Sequence, residues 1–463
     1  MPAQPTSDTE APKKSPGIFA SGGFKIALLI IIILLLLIPM DMIRSLIYER
    51  SYRANEAEES IMEAWGGRFT LYGPVIRIPL VQREEIRTKT DKGGERIETV
   101  MHQNALWLTP KDLNILADVS AQKKRRGIFS VALFSGQVSI SGSFTFERVK
   151  DELKPNQTIY PRQAEIIVGL ANQKGIRVIK ADWNGGELFF KPGDRNFDGP
   201  AGGINASSPF DPTKLNTFDI QLAVQGGKSM RVLPIGEVTR AHIKSDWPSP
   251  SFQGGFLPAT YAPSENGFEA EWEIGYLNRP IPLFWFTNEK GKPDSEMNLR
   301  NELFGVDFFK PLDHYALNER AVKYPVLFLV IPFLTLFFME VFSRKPIHPA
   351  QYLLAGLANM IFYLLLLSIS EHLSFAVAYL IAAAALTVMM TLYARSLAET
   401  WAHGACMGLV MALLYLILYL TITAEDWALL IGSIVAFALT GLVMFLTRRL
   451  DWSSLKVKGE KQG

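Results

Sequence analysis

The side chains in this sequence best suited to metal or nucleophilic chemistry are six histidines, His102, His242, His314, His348, His372 and His403, and one cysteine, Cys406. A zinc site places its ligands at short fixed intervals, such as i, i+4 on a helix or Cys-x-x-Cys. No two of the histidines stand that way. The sequence also lacks a Gly-x-Ser-x-Gly elbow, a phosphate-binding Walker loop, and a Gly-x-Gly-x-x-Gly turn between strand and helix. No catalytic, cofactor-binding or metal-ligating residue is therefore expected. A lone cysteine cannot pair within the chain, so the fold does not depend on intrachain disulfides. A net charge of +2 gives no basis for a nucleic-acid partner.

Two polar stretches stand out. "DWPSPSFQGGFLP", Asp246 to Pro258, carries three prolines, aromatic rings at Trp247, Phe252 and Phe256, and a Gly-Gly pair. Pro248 and Pro250 hold themselves and the residues before them extended, which excludes helix and disfavours a central strand. Gly254-Gly255 permits a sharp turn. A ligand-gripping loop would offer convergent ionisable groups, and this one offers only Asp246, so a structural corner that folds aromatic rings over the end of a sheet is the favoured reading. "QKKRRG", Gln122 to Gly127, is the sharpest basic run. It reads as a solvated hairpin end, with lipid headgroups or anionic polymers as the functional alternative.

The elements that carry these stretches fall into two kinds. The apolar residues, 48% of 463, concentrate in "FKIALLIIIILLLLIPM", Phe24 to Met40, and again from Tyr324 onward. The first run follows Lys13, Lys14 and Lys25, and no small-x-small cleavage site comes after it. It reads as a retained signal-anchor, with a cleaved signal peptide as the alternative. Five further spans are expected at about Tyr324 to Phe342, Tyr352 to Ser370, Phe375 to Tyr393, Ala405 to Thr421 and Trp427 to Thr447. Each is about long enough for a hydrocarbon layer of about 30 Å.

Their connectors alternate in charge. "SRKPIHPA", "ARSLAETWAHG" and the C-terminal tail carry Arg344, Lys345, Arg395, Arg448, Arg449, Lys456, Lys458 and Lys461. "SEHLS" and "TAEDW" carry neither Lys nor Arg. By the bias of basic residues toward the cytoplasm, both termini are expected inside and the bulk of the chain outside. The expected organisation is a cytoplasmic tail (1–23), an anchor helix (24–46), a periplasmic domain (47–323), a five-helix transmembrane bundle (324–447) and a basic cytoplasmic tail (448–463). Within the spans, Glu340, Glu371 and Arg395 fall near ends where long side chains reach water. Asn359, Thr387 and Thr391 read as packing elements that bond across helices, Pro332 as a point where the second span can kink, and "GACMG", Gly404 to Gly408, as a surface for close intrachain packing.

The outer segment begins with "YERSYRANEAEESIMEAW", a charged continuation of the anchor helix that Gly66-Gly67 should stop. Beyond it the apolar period changes to two. Val138, Ile140, Phe144 and Phe146 share one face, as do Phe218, Ile220, Leu222 and Val224, and again Phe268, Ala270, Trp272 and Ile274. Turn signals at Asp198-Gly199, Gly226-Gly227 and Asn266-Gly267 favour an antiparallel sandwich or meander with few helices. The fold class is thus an α-helical membrane bundle joined to a β-rich extracytoplasmic domain.

"SDWPSPSFQGGFLPATYAPSENGFEAEW", "RRGIFSVALFSGQVSISGSF", "YGPVIRIP" and "QYLLAGLANMIFYLLLLSISEH" together resemble the CreD family of inner-membrane, cell-envelope integrity proteins. The resemblance runs from the anchor to "FLTRRLDW" and implies residence in the bacterial inner membrane and a role in envelope maintenance and stress. It brings no catalytic residues. The expected function is non-enzymatic, with the lipid bilayer as surroundings and envelope proteins or polymers as partners of the periplasmic domain. A transporter or flippase-like protein is the first alternative, and a periplasm-facing envelope enzyme with an unrecognised site the second.

Overall fold

The computed structural model describes residues 22–89, 95–127, 129–193, 202–264, 266–288, 299–308, 314–323, 325–343, 345–424 and 427–448. The polar N-terminal tail, the turn expected at Asp198-Gly199, Tyr324, Arg344 and the basic tail beyond Arg448 lie outside them. Contacts divide the chain into a unit of residues 54–311 and a unit of residues 1–53 with 312–463.

The first unit is built on two sheets. One contains β1 (Phe69–Lys89), β2 (Glu95–Leu108), β5 (Gln157–Ile159), β6 (Glu165–Leu170), β9 (Lys191–Pro192), β10 (Gly203–Ser207), β12 (Ser229–Val232), β14 (Pro250–Gly254), β17 (Phe284–Thr287) and β18 (Phe304–Phe308). The other contains β3 (Asp112–Arg126), β4 (Phe129–Phe144), β7 (Ile176–Trp183), β8 (Gly186–Glu187), β11 (Asn216–Gly227), β13 (Val238–Ser245), β15 (Thr260–Ser264) and β16 (Gly267–Gly275). Along the second sheet the order is β15-β16-β13-β3-β4-β11-β7-β8. The ladders are antiparallel except for β1 with β12 and β3 with β13, which run parallel.

The period-two faces read from the sequence are the buried faces. Val138, Ile140, Phe144, Phe218, Ile220, Leu222, Phe268, Ala270 and Trp272 all enter one core cluster with Ile76, Ile78, Ile166 and Val168 of the first sheet. Each such side chain contributes about 1.5–3 kcal/mol of burial, so the interface between the sheets is the principal source of this unit's stability. Gly226-Gly227 is not itself a turn: β11 continues through it, paired to Phe134 and Leu133, and the chain bends at Lys228, whose φ is 58°, to enter β12 of the other sheet.

Helix α1 (Gly22–Trp65) is continuous over 44 residues. It stops as expected at Gly66 and Gly67, both at positive φ, with both N–H groups donating to Met62 O. Its last turns are not fully solvated, because Met62 is buried with Val131 and Leu133 of β4.

The second unit takes the start of α1 together with α2 (His314–Ala321), α3 (Pro325–Ser343), α4 (Pro349–Ser370), α5 (Phe375–Ala398), α6 (Trp401–Thr423) and α7 (Ala428–Thr447). On α1, Ile32, Leu36, Met40, Ile43 and Ile47 recur every three or four residues and are buried, while Ile31, Leu34 and Ile38 are exposed. Exposed Leu and Phe residues on α4, α5, α6 and α7 have the same logic: they face a medium as apolar as themselves. Helices α1, α4, α5, α6 and α7 are long and apolar enough to cross a bilayer, and α3 contributes the shorter apolar stretch Phe328–Ser343. Phe328, Leu329, Phe333, Leu336 and Met339 of α3 are buried, so this helix sits inside the bundle.

Candidate functional site

The corner read at Asp246–Pro258 carries the chain from the end of β13 through the edge strand β14 and on to β15, the edge strand of the other sheet. Asp246 fixes its start: Ser120 Oγ donates to one carboxylate oxygen at 2.6 Å and the Ala121 N–H to the other at 2.7 Å. Phe252 then meets Tyr261, Phe268 and Trp272 edge-on, Trp247 stands edge-on to Phe308, and Trp272 Nε1 donates to Phe256 O. The stretch closes the open side of the sandwich. Gly254 is required there, since it sits at φ +108° and a Cβ would lie 1.9 Å from Leu303 O.

The basic run forms the end of the β3–β4 hairpin. Lys123, Arg125 and Arg126 are exposed, and Lys124 lies 3.5 Å from the centre of the Trp65 ring. Three of the histidines have local partners: His102 pairs with Glu84, His242 lies near Glu269 and Glu271, and His348 caps α4. Sequence reasoning overlooked Arg279, whose guanidinium is buried and donates to the carbonyls of Ile235, Gly236 and Ile281. Burial pushes its pKa down to about 10, so it remains charged at neutral pH while clamping two loops.

Inside the bundle, "GACMG" is an intrachain contact. A Cβ on Gly404 would lie 2.9 Å from Arg395 Cβ, and one on Gly408 2.5 Å from Thr391 Oγ1, so α5 and α6 approach because these positions carry no side chain. Thr391 differs from expectation, while Asn359 bonds across helices through its Oδ1. Thr391 donates to Thr387 O and Asn359 Nδ2 to Ala355 O, both within their own helices. The donors of the crossing bonds are tyrosines: Tyr415 OH reaches Asn359 Oδ1 at 3.5 Å and Tyr379 OH donates to Tyr415 O at 2.6 Å. Asn359 is buried in this aromatic packing.

The connectors sort onto opposite ends of the bundle. Lys345, after α3, reaches Glu399, after α5, at 2.6 Å and holds that carboxyl below its usual range by hydrogen bonding and charge. Toward the other end, Tyr315 and Asn318 of α2 donate to Glu371 and Ser370 at the end of α4, and Arg320 points a guanidinium nitrogen at Ile422 O near the end of α6.

Glu340 is the correction among the membrane ionisable residues. It lies near the end of α3 as expected, but pairs there rather than reaching out to water: its side chain is 10% exposed. One oxygen accepts from Lys25 Nζ of α1 and the other from Tyr352 OH of α4 at 2.9 Å. The group thus joins three helices. It lines a cavity of about 350 Å³ whose remaining walls include Leu28, Leu29, Ile32 and Phe337, with His348 beside the polar end. An ionisable group buried within a membrane-spanning bundle is costly unless paired, which makes this the strongest candidate site in the molecule. The acid alone was visible in sequence; its partners lie 315 residues before it and 12 after it, a pairing only the bundle defines.

A family model described as Inner membrane protein CreD matches residues 21–453. The Inner membrane protein CreD of Escherichia coli (strain K12) is 31% identical over 437 residues, which is 92% of this chain and 93% of that protein. Among solved structures, an M1 zinc metallopeptidase of Deinococcus radiodurans aligns at a TM-score of 0.21 and 12% identity, over 36% of this chain and 39% of its own. Yeast LTA4 hydrolase aligns at a TM-score of 0.20 and 11% identity, over 38% and 29%. Likenesses this faint carry no argument about fold or activity. The apolar helices, the two-sheet unit between them and the match along nearly the whole sequence agree on one conclusion: this chain belongs to the CreD family of inner membrane proteins.

Proposed function

We propose that the chain is a non-enzymatic protein of cell-envelope integrity or stress response, with residues 54–311 in the periplasm and both termini in the cytoplasm. Its sandwich contacts envelope proteins or polymers, and its helices hold that sandwich at the membrane. The observation that carries this reading is where the sandwich leaves surface unused. The corner at Asp246–Pro258 is occupied with closing the fold, whereas two hairpins carry exposed side chains. The β3–β4 hairpin ends in Lys123, Arg125 and Arg126. Strands β1 and β2 continue pairing from Arg83↔Met101 to Lys89↔Glu95, past the places where β5 and β17 join them, and expose Ile86, Ile97 and Met101. Exposed apolar side chains on such a ribbon suit partner contact.

The orientation is supported by the charge alternation of the connectors together with the Lys345–Glu399 pair, which brings two basic connectors to one end. Photo-crosslinking in intact envelopes tests the reading. Probes at Met101 and Arg125 are expected to capture envelope components, while a probe at Gln253 in the corner captures none. Capture confined to Gln253 would contradict it. A second reading, a transporter or flippase-like protein for a lipid or envelope polymer, draws on the cavity beside Glu340.

A further inference from the structure

We propose that the cavity at Lys25, Glu340, His348 and Tyr352 binds the headgroup of a zwitterionic aminophospholipid of the phosphatidylethanolamine type. The inference rests on the chain spanning a bilayer and is independent of what the sandwich contacts.

Charge balance selects the ligand class. Lys25 and Glu340 satisfy each other within a mostly apolar enclosure. Separating them by binding a lone anion at Lys25 leaves a buried carboxylate unpaired, and a lone cation at Glu340 leaves the half-buried Lys25 ammonium without its partner. The stranded carboxylate costs several kcal/mol, and the ammonium less. A ligand carrying one positive and one negative group within a few bonds can exchange partners with both at once, so no buried charge is ever stranded. A phosphate joined to a primary ammonium by two carbons is such a ligand: its ammonium goes to Glu340 and its phosphate to Lys25.

The neighbouring groups fit the same assignment. Tyr352 OH donates to Glu340 and holds the carboxylate oriented. His348 Nδ1 accepts the Ala350 N–H, which leaves the ring proton on Nε2 as a donor at the polar end. Leu28, Leu29, Ile32 and Phe337 supply an apolar wall for glycerol and the first acyl carbons. A volume of about 350 Å³ suits a headgroup rather than a whole lipid. The cavity also sits where α1 begins, α3 ends and α4 begins, the depth at which headgroups lie.

Native mass spectrometry of the full-length protein taken from bilayers of defined composition tests this directly. Phosphatidylethanolamine is expected to be retained at least about ten-fold more than phosphatidylcholine, whose methylated amine donates no N–H, and more than phosphatidylglycerol, which brings only an anion; loss of one charged hydrogen bond is about that large. Glu340→Gln is expected to abolish the preference. Leu29→Trp, which fills the apolar wall and leaves the ion pair in place, is expected to remove bound phosphatidylethanolamine with the helices still folded by circular dichroism. Equal retention of the three lipids by the unaltered protein, or an undiminished preference in Glu340→Gln, would overturn the proposal and leave the pair as a helix staple. Displacement of the lipid by millimolar free phosphoethanolamine would assign the site to the soluble compound and equally overturn it.

Discussion

At the residue scale, the strongest single commitments are the buried charges. Arg279 donates through both terminal nitrogens and Nε to the carbonyls of three buried residues. A lysine carries the same charge on a point donor and cannot span them. Arg279→Lys is therefore expected to destabilise the sandwich by about 2 kcal/mol or more, measured by pulse proteolysis of the purified protein. Arg279→Met should be worse, because it strands the carbonyls as well. Its depressed pKa has a defined sign: below about 10 the folded state bears a burial penalty for the charged form, which is relieved as pH rises through that value toward the ordinary arginine range. Stability at neutral pH should accordingly show no titration from this group.

At the element scale, the glycines decide what can approach what. Gly408 lets α6 lie against Thr391 of α5, so Gly408→Leu should lower the unfolding midpoint of the detergent-solubilised protein. Gly408→Ala meets only the Thr391 hydroxyl, and Thr391→Ala in the same chain should restore much of the loss. Failure of that rescue would place the contact elsewhere. Gly254→Ala has no such relief, because the obstacle is the backbone carbonyl of Leu303 and φ is +108°. It should cost about 2 kcal/mol or more. Most of this layer was legible in the sequence. Period-two apolar runs gave the buried faces of β4, β11 and β16, and the proline-rich stretch gave a corner. Pairing partners were not legible: nothing local in "TLYGP" or "SMRV" announces that β1 and β12 run parallel, since such contacts depend on the return path of the whole chain. The cavity at Glu340 was hidden for the same reason, and the long β1–β2 ribbon because its polar end carries no strong alternation.

At the scale of the whole molecule, the account depends on a membrane protein whose folded bulk is inserted between one apolar helix and the rest. Residues 54–311 form a unit of their own, and the sequence on both sides of it is apolar. The connectors after α3 and α5 carry the basic residues and meet through Lys345 and Glu399, while α2 bonds to the ends of α4 and α6. Reversing the charge of the first group should therefore disturb insertion more than changing the second. Lys345→Glu combined with Arg395→Glu is expected to produce mixed orientations, read from the sidedness of labelling at an added terminal tag.

The most direct test of the central claim is protease protection of the 54–311 unit. Protease added to intact spheroplasts is expected to cut between α1 and α2, at exposed segments such as the Lys123–Arg126 hairpin end, and inverted vesicles should protect the same sites. Protection in spheroplasts with cleavage in inverted vesicles would place the sandwich in the cytoplasm and contradict the account.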